Sequence, residues 1–204
     1  MKRLLLPLAI AASLLAGCQS MQATAPDQLR GTGDLGLIVE RATGSVLVVD
    51  HSEYEVLSRV EGLGDLSHAS VVYSRDARYG YVFGRDGGLT KVDLLTGTIN
   101  ERVIQSGNSI GGAISQDGEY VAVSNYEPGG VNVFNSDTLE TVVDIPATYV
   151  NEVGKQEQSK TVGLVDAPGN RFVFSLFEAG EIWTVDMLET PPDVTRHGAG
   201  EEPY

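Results

Sequence analysis

A segment of about 42 residues recurs four times along this chain of 204 residues, and the repeat limits its possible folds more than any other feature. In each copy a glycine precedes an alternating apolar strand that ends in Asp or Asn. These closing residues are 43, 42 and 51 positions apart: Asp50, Asp93, Asn135 and Asp186. The longer third interval contains the polar residues 149–160, which we expect to form a loop.

Each repeat has room for further short strands around this central one. An apolar strand precedes the glycine and another strand follows the closing residue. Strands rich in small residues come first in three of the repeats, at 69–73, 112–115 and 162–165. Small residues suit the innermost strand of a propeller blade, where sheets crowd the axis. The pattern therefore predicts an all-β chain, a β-propeller of which about four blades are present, with a β-sandwich as the alternative.

The N-terminus has the features of an exported lipoprotein. Lys2 and Arg3 precede an apolar run of 12 residues, 4–15, which is too short to span a bilayer but typical of a signal peptide. Leu15-Ala16-Gly17-Cys18 then matches a bacterial lipobox, which predicts cleavage after residue 17 and lipidation of Cys18. The alternative is an ordinary signal peptide that contains a cysteine by chance.

The residues after this signal predict where the protein resides. Cys18 is the single cysteine, so the chain cannot form an intrachain disulfide. Gln19 favours transfer to the outer membrane, and the composition of residues 18–34 is typical of a flexible tether. We expect a periplasmic protein that acyl chains anchor to the outer membrane.

The net charge of −14 disfavours nucleic acid as a partner, because an acidic surface repels phosphates.

Candidate site residues lie on loops that lead into the small-residue strands, where propellers bind ligands at the end of the channel. His68 directly precedes one such strand, and its imidazole can ligate iron or transfer a proton. Arg85 lies in a glycine-rich hairpin tip, 84–88, and can form a bidentate pair with a carboxylate. The alternatives are a structural histidine and a salt bridge from Arg85 to Asp86 or to another blade.

Other motifs add little chemistry. A second hairpin tip, 125–130, points toward the same region as the tip that carries Arg85. Asp76 and Asp117 occupy equivalent turn positions and are interpreted as structural. His51 and His197 are interpreted as surface residues. The sequence contains no Walker loop, dinucleotide fingerprint, nucleophile elbow, CxxCH motif or zinc-site spacing.

Five stretches of the chain resemble the NirF family of haem d1 biosynthesis proteins, which is related to the haem d1 domain of dissimilatory nitrite reductase. They are residues 62–70, 83–94, 107–118, 125–131 and 162–169. The resemblance implies an eight-bladed propeller when complete, with residues 35–204 as its N-terminal half. We accordingly expect the DNA after codon 204 to encode further blades.

The resemblance also implies roles for individual residues. His68 would ligate the haem iron or act as a catalytic proton-transfer group, and Arg85 would hold a tetrapyrrole carboxylate. Asn108, Tyr126 and Glu127 are additional candidates for binding the cofactor at the rim. The implied ligand is haem d1 or its precursor.

Three functions follow as hypotheses. The first is binding and modification, by a dehydrogenase-type reaction, of a late haem d1 precursor in nitrite reductase maturation for denitrification. The second is a non-catalytic carrier that delivers the cofactor to nitrite reductase. The third is an outer-membrane lipoprotein scaffold. The expected partners are the tetrapyrrole, nitrite reductase, NirN-like propeller proteins and, through the lipid anchor, a membrane.

Overall fold

The computed structural model describes residues 31–198, which form antiparallel sheets and one short 3-10 helix, Thr32–Asp34. The predicted signal peptide, Cys18 and most of the predicted tether lie outside the described residues, as do residues 199–204. No helix within residues 31–198 is long and apolar enough to cross a membrane.

Four blade-like sheets follow one another along the chain, and in each of them consecutive strands are hydrogen-bonded neighbours. The first sheet contains β1 (Leu35–Glu40), β2 (Ser45–Asp50) and β3 (Glu55–Val60). The second contains β4 (Ser70–Tyr73), β5 (Tyr79–Phe83), β6 (Gly88–Asp93) and β7 (Thr98–Ile104). The third contains β8 (Asn108–Ile114), β9 (Tyr120–Glu127), β10 (Val131–Asn135) and β11 (Thr141–Ile145).

A two-stranded hairpin separates the third sheet from the fourth. It consists of β12 (Thr148–Val150) and β13 (Gln156–Gln158), and the fourth sheet contains β14 (Thr161–Ala167), β15 (Arg171–Leu176), β16 (Glu181–Asp186) and β17 (Asp193–His197). The expectation of a loop over residues 149–160 was therefore wrong in part. Asn151 turns the chain there, because its side-chain oxygen accepts hydrogen bonds from the backbone N–H groups of Val153 and Lys155.

Three buried clusters hold the four sheets together, one at each interface between successive sheets. Val46 and Val48 of the first sheet pack with Val82 and Val92 of the second. Equivalent clusters join the second sheet to the third around Phe83 and Val121, and the third to the fourth around Val133, Phe172 and Trp183. Three successive face-to-face interfaces are the arrangement of propeller blades, whereas a sandwich has one. The β-propeller prediction is confirmed.

The residues that close each repeat start the turn into the outer strand. The side-chain oxygens of Asp93 and Asn135 each accept two backbone N–H groups of the following turn.

The predicted structural roles of Asp76 and Asp117 are also confirmed. Each accepts a hydrogen bond from the serine two residues before it, Ser74 and Ser115 respectively.

The inner strand of the third sheet tests the requirement for small residues. A Cβ atom on Gly112 would collide with the Ala122 carbonyl oxygen and the Phe83 ring. Gly112→Ala should therefore lower the free energy of unfolding by about 1–3 kcal/mol, because both neighbours are buried and cannot move freely. Denaturant unfolding measures this effect. Gly33→Ala is the control, since nothing lies within 4 Å of its Cβ position, and equal losses would contradict the packing argument.

Candidate functional site

The candidate residues lie at one end of the sheets, which we call the upper end. It comprises the loops before β4, β8 and β14 and the hairpins β1–β2, β5–β6, β9–β10 and β15–β16. The strand register brings these connections together, because Ser70 pairs with Phe83, Asn108 with Glu127 and Thr161 with Leu176. The sequence predicted this shared end for the β5–β6 and β9–β10 hairpins.

His68 lies in a tight turn that ends one residue before β4. The turn is closed by a hydrogen bond of 3.0 Å from the Ala69 N–H to the Leu66 carbonyl oxygen. The imidazole is exposed and has no hydrogen-bond partner within residues 31–198. An exposed imidazole without such a partner is available to a ligand.

Arg85 projects from the β5–β6 hairpin beside the His68 loop. Its backbone N–H donates a hydrogen bond of 2.7 Å to the Asp65 carbonyl oxygen, which joins the two segments directly. Its guanidinium is exposed and forms no salt bridge in the described part of the chain. The backbone N–H of Ser67 lowers the pKa of the Asp65 carboxyl most, and the charges of Arg85 and His68 lower it further. Arg85 and His68 thus both act electrostatically on one acidic side chain.

Asn108 and Glu127 lie opposite each other on β8 and β9 at the same end. Glu127 is exposed, whereas Tyr126 and Asn108 are half-buried. The side-chain oxygen of Asn108 is buried and has no hydrogen-bond partner among the described residues. The Ser109 hydroxyl donates a hydrogen bond of 2.6 Å to the Gly84 carbonyl oxygen, so this strand is attached to the hairpin that carries Arg85.

Unpartnered polar atoms are concentrated around the inner strands at this end. Besides Asn108, the buried hydroxyls of Ser70 and Thr161 have no hydrogen-bond partner within residues 31–198. Leaving a buried hydroxyl or amide unpaired costs about 1–3 kcal/mol, so such atoms indicate water or ligand contacts. Together with an exposed imidazole and an exposed guanidinium, they fit a polar ligand with anionic groups.

Sequence reasoning missed the ion pair that aligns the His68 loop with the Arg85 hairpin. The Arg102 guanidinium on β7 donates to the Asp86 carboxylate at 2.6 Å and to the Leu63 carbonyl oxygen at 3.1 Å. Asp86 also accepts the backbone N–H groups of Gly88 and Asp65. Asp86 is thereby paired with Arg102, and the alternative of a salt bridge from Arg85 to Asp86 is not found among the described residues. The sequence feature that could have indicated this ion pair is the high number of glycines in the two segments that it joins.

Glycine is required around this ion pair for steric reasons. A Cβ atom on Gly64 or Gly88 would collide with the Asp86 carboxylate or the Arg102 guanidinium. Gly64 also has a φ of 83°, in the left-handed region that favours glycine. The glycines of both segments therefore leave room for the ion pair. The ion pair in turn fixes the position from which Arg85 projects.

A second missed pair lies on the fourth blade. The Lys160 ammonium is 2.7 Å from the Glu178 carboxylate, which also accepts the Lys160 backbone N–H and the Ser159 hydroxyl. Burial alone would raise the pKa of Glu178, but these hydrogen bonds outweigh it and lower the pKa to about 2. The pair holds the loop before β14 against the β15–β16 hairpin.

The alignment role of Arg102 can be tested by Arg102→Met in the full-length protein. We expect amide hydrogen exchange at Arg85 and Gly88 to become about tenfold faster, because both segments lose their shared partner. Arg78→Met is the matched control, since Arg78 pairs with Asp93 in the same blade at the opposite end. Unchanged exchange at the two upper-end amides would contradict the role.

The Glu178 pair predicts a defined dependence of stability on pH. Its pKa in the folded chain lies below the ordinary value of 4.5, so its stabilisation is complete above about pH 4.5 and is lost as the pH falls toward about 2. Glu178→Gln should remove this part of the slope when the free energy of unfolding is measured across that range. Glu152→Gln, an exposed glutamate on the β12–β13 hairpin, should keep the slope of the parent protein.

Comparison with known proteins gives this geometry a family context. NirF of Pseudomonas aeruginosa is 61% identical over 194 residues, which are 94% of this chain and 48% of that protein. The chain spans about half the length of the curated NirF relatives it matches. The resemblance to NirF is thereby confirmed.

Solved structures agree with the fold. "Dihydro-heme d1 dehydrogenase NirN in complex with DHE" superposes with a TM-score of 0.75 at 26% identity, covering 87% of this chain and 37% of that one. The β-propeller domain of Cps50 (Swd1) from Myceliophteria thermophila superposes at 0.67 with 14% identity, over 85% of this chain and 54% of that one, and supports the fold alone. The family model for the cytochrome D1 heme domain matches residues 30–204. The chain therefore belongs to the cytochrome D1 heme domain family.

Proposed function

We propose that this protein binds a late tetrapyrrole precursor of haem d1 at the upper end and takes part in its conversion. One observation carries the proposal: an imidazole, His68, and a guanidinium, Arg85, are both exposed at the upper end on segments that a backbone hydrogen bond joins, and neither has a hydrogen-bond or salt-bridge partner within residues 31–198. The similarity to NirF and to a NirN structure that contains DHE supports a tetrapyrrole as the ligand.

The chemistry of the two side chains assigns them different tasks. Arg85 would form a charge-assisted, bidentate contact with a carboxylate at the edge of the macrocycle and so fix its orientation. His68 would present a ring nitrogen either to the haem iron or to a proton that leaves the macrocycle. Asn108, Tyr126 and Glu127 would add hydrogen bonds along the third blade. The buried Asn108 oxygen supports this part of the proposal, because it lacks any other partner in the described chain.

The cellular setting proposed here follows from the N-terminal sequence. Lipidation at Cys18 would tether the protein to the outer membrane and place the propeller in the periplasm. In that compartment it would meet nitrite reductase and NirN-like proteins. Globomycin treatment of cells, which blocks lipoprotein signal cleavage, should leave an uncleaved precursor if the lipobox is functional.

Absorption spectroscopy tests the ligand and the roles of both residues. Titration of the full-length protein with dihydro-haem d1 should shift the visible band, and His68→Ala should change that shift because an iron ligand or proton acceptor is lost. Arg85→Ala should raise the Kd by about tenfold with a similar final spectrum, since it removes one charge-assisted contact. His51→Ala is the control, because His51 is an exposed imidazole whose Nε2 contacts the Gly33 carbonyl oxygen, away from the upper end.

An unchanged spectrum in His68→Ala together with an unchanged Kd in Arg85→Ala would remove both residues from the site. Two further outcomes decide between an enzyme and a carrier. Conversion of the bound precursor to haem d1 after addition of an electron acceptor would support the enzyme. Stable binding without conversion would favour the carrier.

A further inference from the structure

We propose that the third blade binds a divalent cation, of which calcium fits best, in a cavity beside the Asp144 carboxylate. The cavity has a volume of about 100 Å³ and lies near the upper end, where β10, β11 and the β12–β13 hairpin meet. The inference does not depend on the ligand proposed above, because neither His68 nor Arg85 lines this cavity. None of the sequence patterns singled out Asp144.

The repeat shows which residue the other blades have at this position. In each blade, the residue three places before the closing Asp or Asn pairs with one residue of the outer strand. That outer-strand residue is an arginine in the first, second and fourth blades and Asp144 in the third: Leu47 pairs with Arg59, Thr90 with Arg102, Trp183 with Arg196 and Asn132 with Asp144. The third blade thus carries a carboxylate where the other three carry a guanidinium.

The cavity corresponds to the space that the Arg102 guanidinium fills in the second blade. Arg102 contacts the Asp86 carboxylate and the Leu63 carbonyl oxygen, which lie 7 and 30 positions before the closing residue of that blade. Pro128 and Gln105 hold the same two positions in the third blade, and both line the cavity. Replacement of the arginine by Asp144 therefore removes a cation from this space and adds an anion.

The residues that line the cavity offer oxygen atoms that no donor occupies. The Asp144 carboxylate and the Gln158 side chain have no hydrogen-bond or salt-bridge partner within residues 31–198. The Asn132 side-chain nitrogen donates to the backbone and side-chain oxygens of Gln105 at 3.2 and 2.9 Å, so its own side-chain oxygen remains an acceptor. Cross-strand neighbours have Cβ atoms about 4.5–5.5 Å apart, so Asn132 and Asp144 can contact one ion.

The basic side chains around β13 do not neutralise Asp144, because both have other partners. Lys155 pairs with Glu157 at 3.0 Å, and Lys160 pairs with Glu178 at 2.7 Å. Asp144 therefore lacks a counter-ion within the described chain. The net charge of −14 raises the concentration of cations near the surface, which favours a cation from solution.

The donor set and the volume favour calcium over magnesium. Ca²⁺ accepts carboxylate, amide and water oxygens in a flexible geometry, whereas Mg²⁺ requires a regular octahedron and loses water reluctantly. The cavity volume exceeds the roughly 30 Å³ that one water molecule takes in the liquid, so the cavity can hold an ion with part of its hydration shell. With a single carboxylate among the donors, we expect a Kd of about 1 mM.

Calorimetric titration of the metal-free full-length protein with CaCl₂ at constant ionic strength tests the site. Asp144→Ala should raise the calcium Kd by at least about tenfold, because it removes the charged donor. Gln158→Ala should raise it by about threefold, since it removes a neutral donor. Asp193→Ala is the matched control and should keep the Kd of the parent protein, because Asp193 is an exposed aspartate on an outer strand without this cavity.

A second variant restores the residue type of the other blades. Calcium at 10 mM should raise the Tm of the parent protein by about 2 °C. Asp144→Arg should abolish this rise without lowering the Tm in EDTA, because its guanidinium takes the place of the ion among the oxygen atoms.

Three results would overturn the proposal. The first is an absence of calcium binding to the parent protein, and the second is a calcium Kd that Asp144→Ala leaves unchanged. The third is a rise in Tm that depends on Asp144 and occurs with methylguanidinium but not with calcium, which would assign the cavity to an organic cation.

Discussion

Face-to-face packing between successive blades is the interaction on which the rest of this structure depends. The second blade, which is covered by a blade on each side, shows its effect most clearly. All six residues of β6 are buried, including Lys91, whose ammonium reaches the Asp137 carbonyl oxygen of the next blade at 3.1 Å. Tyr81 also spans this interface, and burial raises the pKa of its hydroxyl to about 12. A strand buried on both faces cannot shift register without exposing core residues, so the loops at its ends are fixed in space.

The charged side chains at the two ends of the blades differ in the partners that they have. At the lower end, opposite the upper end, Arg75 donates to the Ile114 and Ser115 carbonyl oxygens and to Asp166, which links the second, third and fourth blades. At the upper end, Arg102 likewise positions two loops by pairing with Asp86, but Arg85 and His68 have no hydrogen-bond or salt-bridge partner in the described chain. These two exposed side chains support the proposal that a ligand binds at the upper end.

Sequence patterns predicted the elements that depend on local chemistry. Each closing Asp or Asn determines its own turn through hydrogen bonds to residues two or three positions away, so the repeat could be detected by eye. The hairpin β12–β13 was missed because its strands are three residues long and mostly polar, without an apolar alternation. The Asp86–Arg102 pair was missed for a different reason. Arg102 contacts Leu63 across 39 positions, and only the packed blades bring these residues together. Local signals thus predicted the blades and the candidate loops, whereas the contacts that align the loops required the tertiary structure.

The acidity of the chain raises a physical objection to an acidic ligand, and the geometry answers it. A net charge of −14 creates a repulsive field at long range, but salt screens it beyond about 8–10 Å under physiological conditions. Within that distance of the upper hairpin tips, the balance depends on which charges are already neutralised. The Glu40 and Asp86 carboxylates are paired with Arg59 and Arg102, whereas Arg85 shares the tips with the exposed Asp65 carboxylate. A ligand carboxylate that reaches Arg85 would therefore compete with Asp65, and a short bidentate contact with the guanidinium would have to hold it. Attraction of this kind acts at contact rather than at a distance, so it would orient a bound ligand more than it would accelerate its arrival.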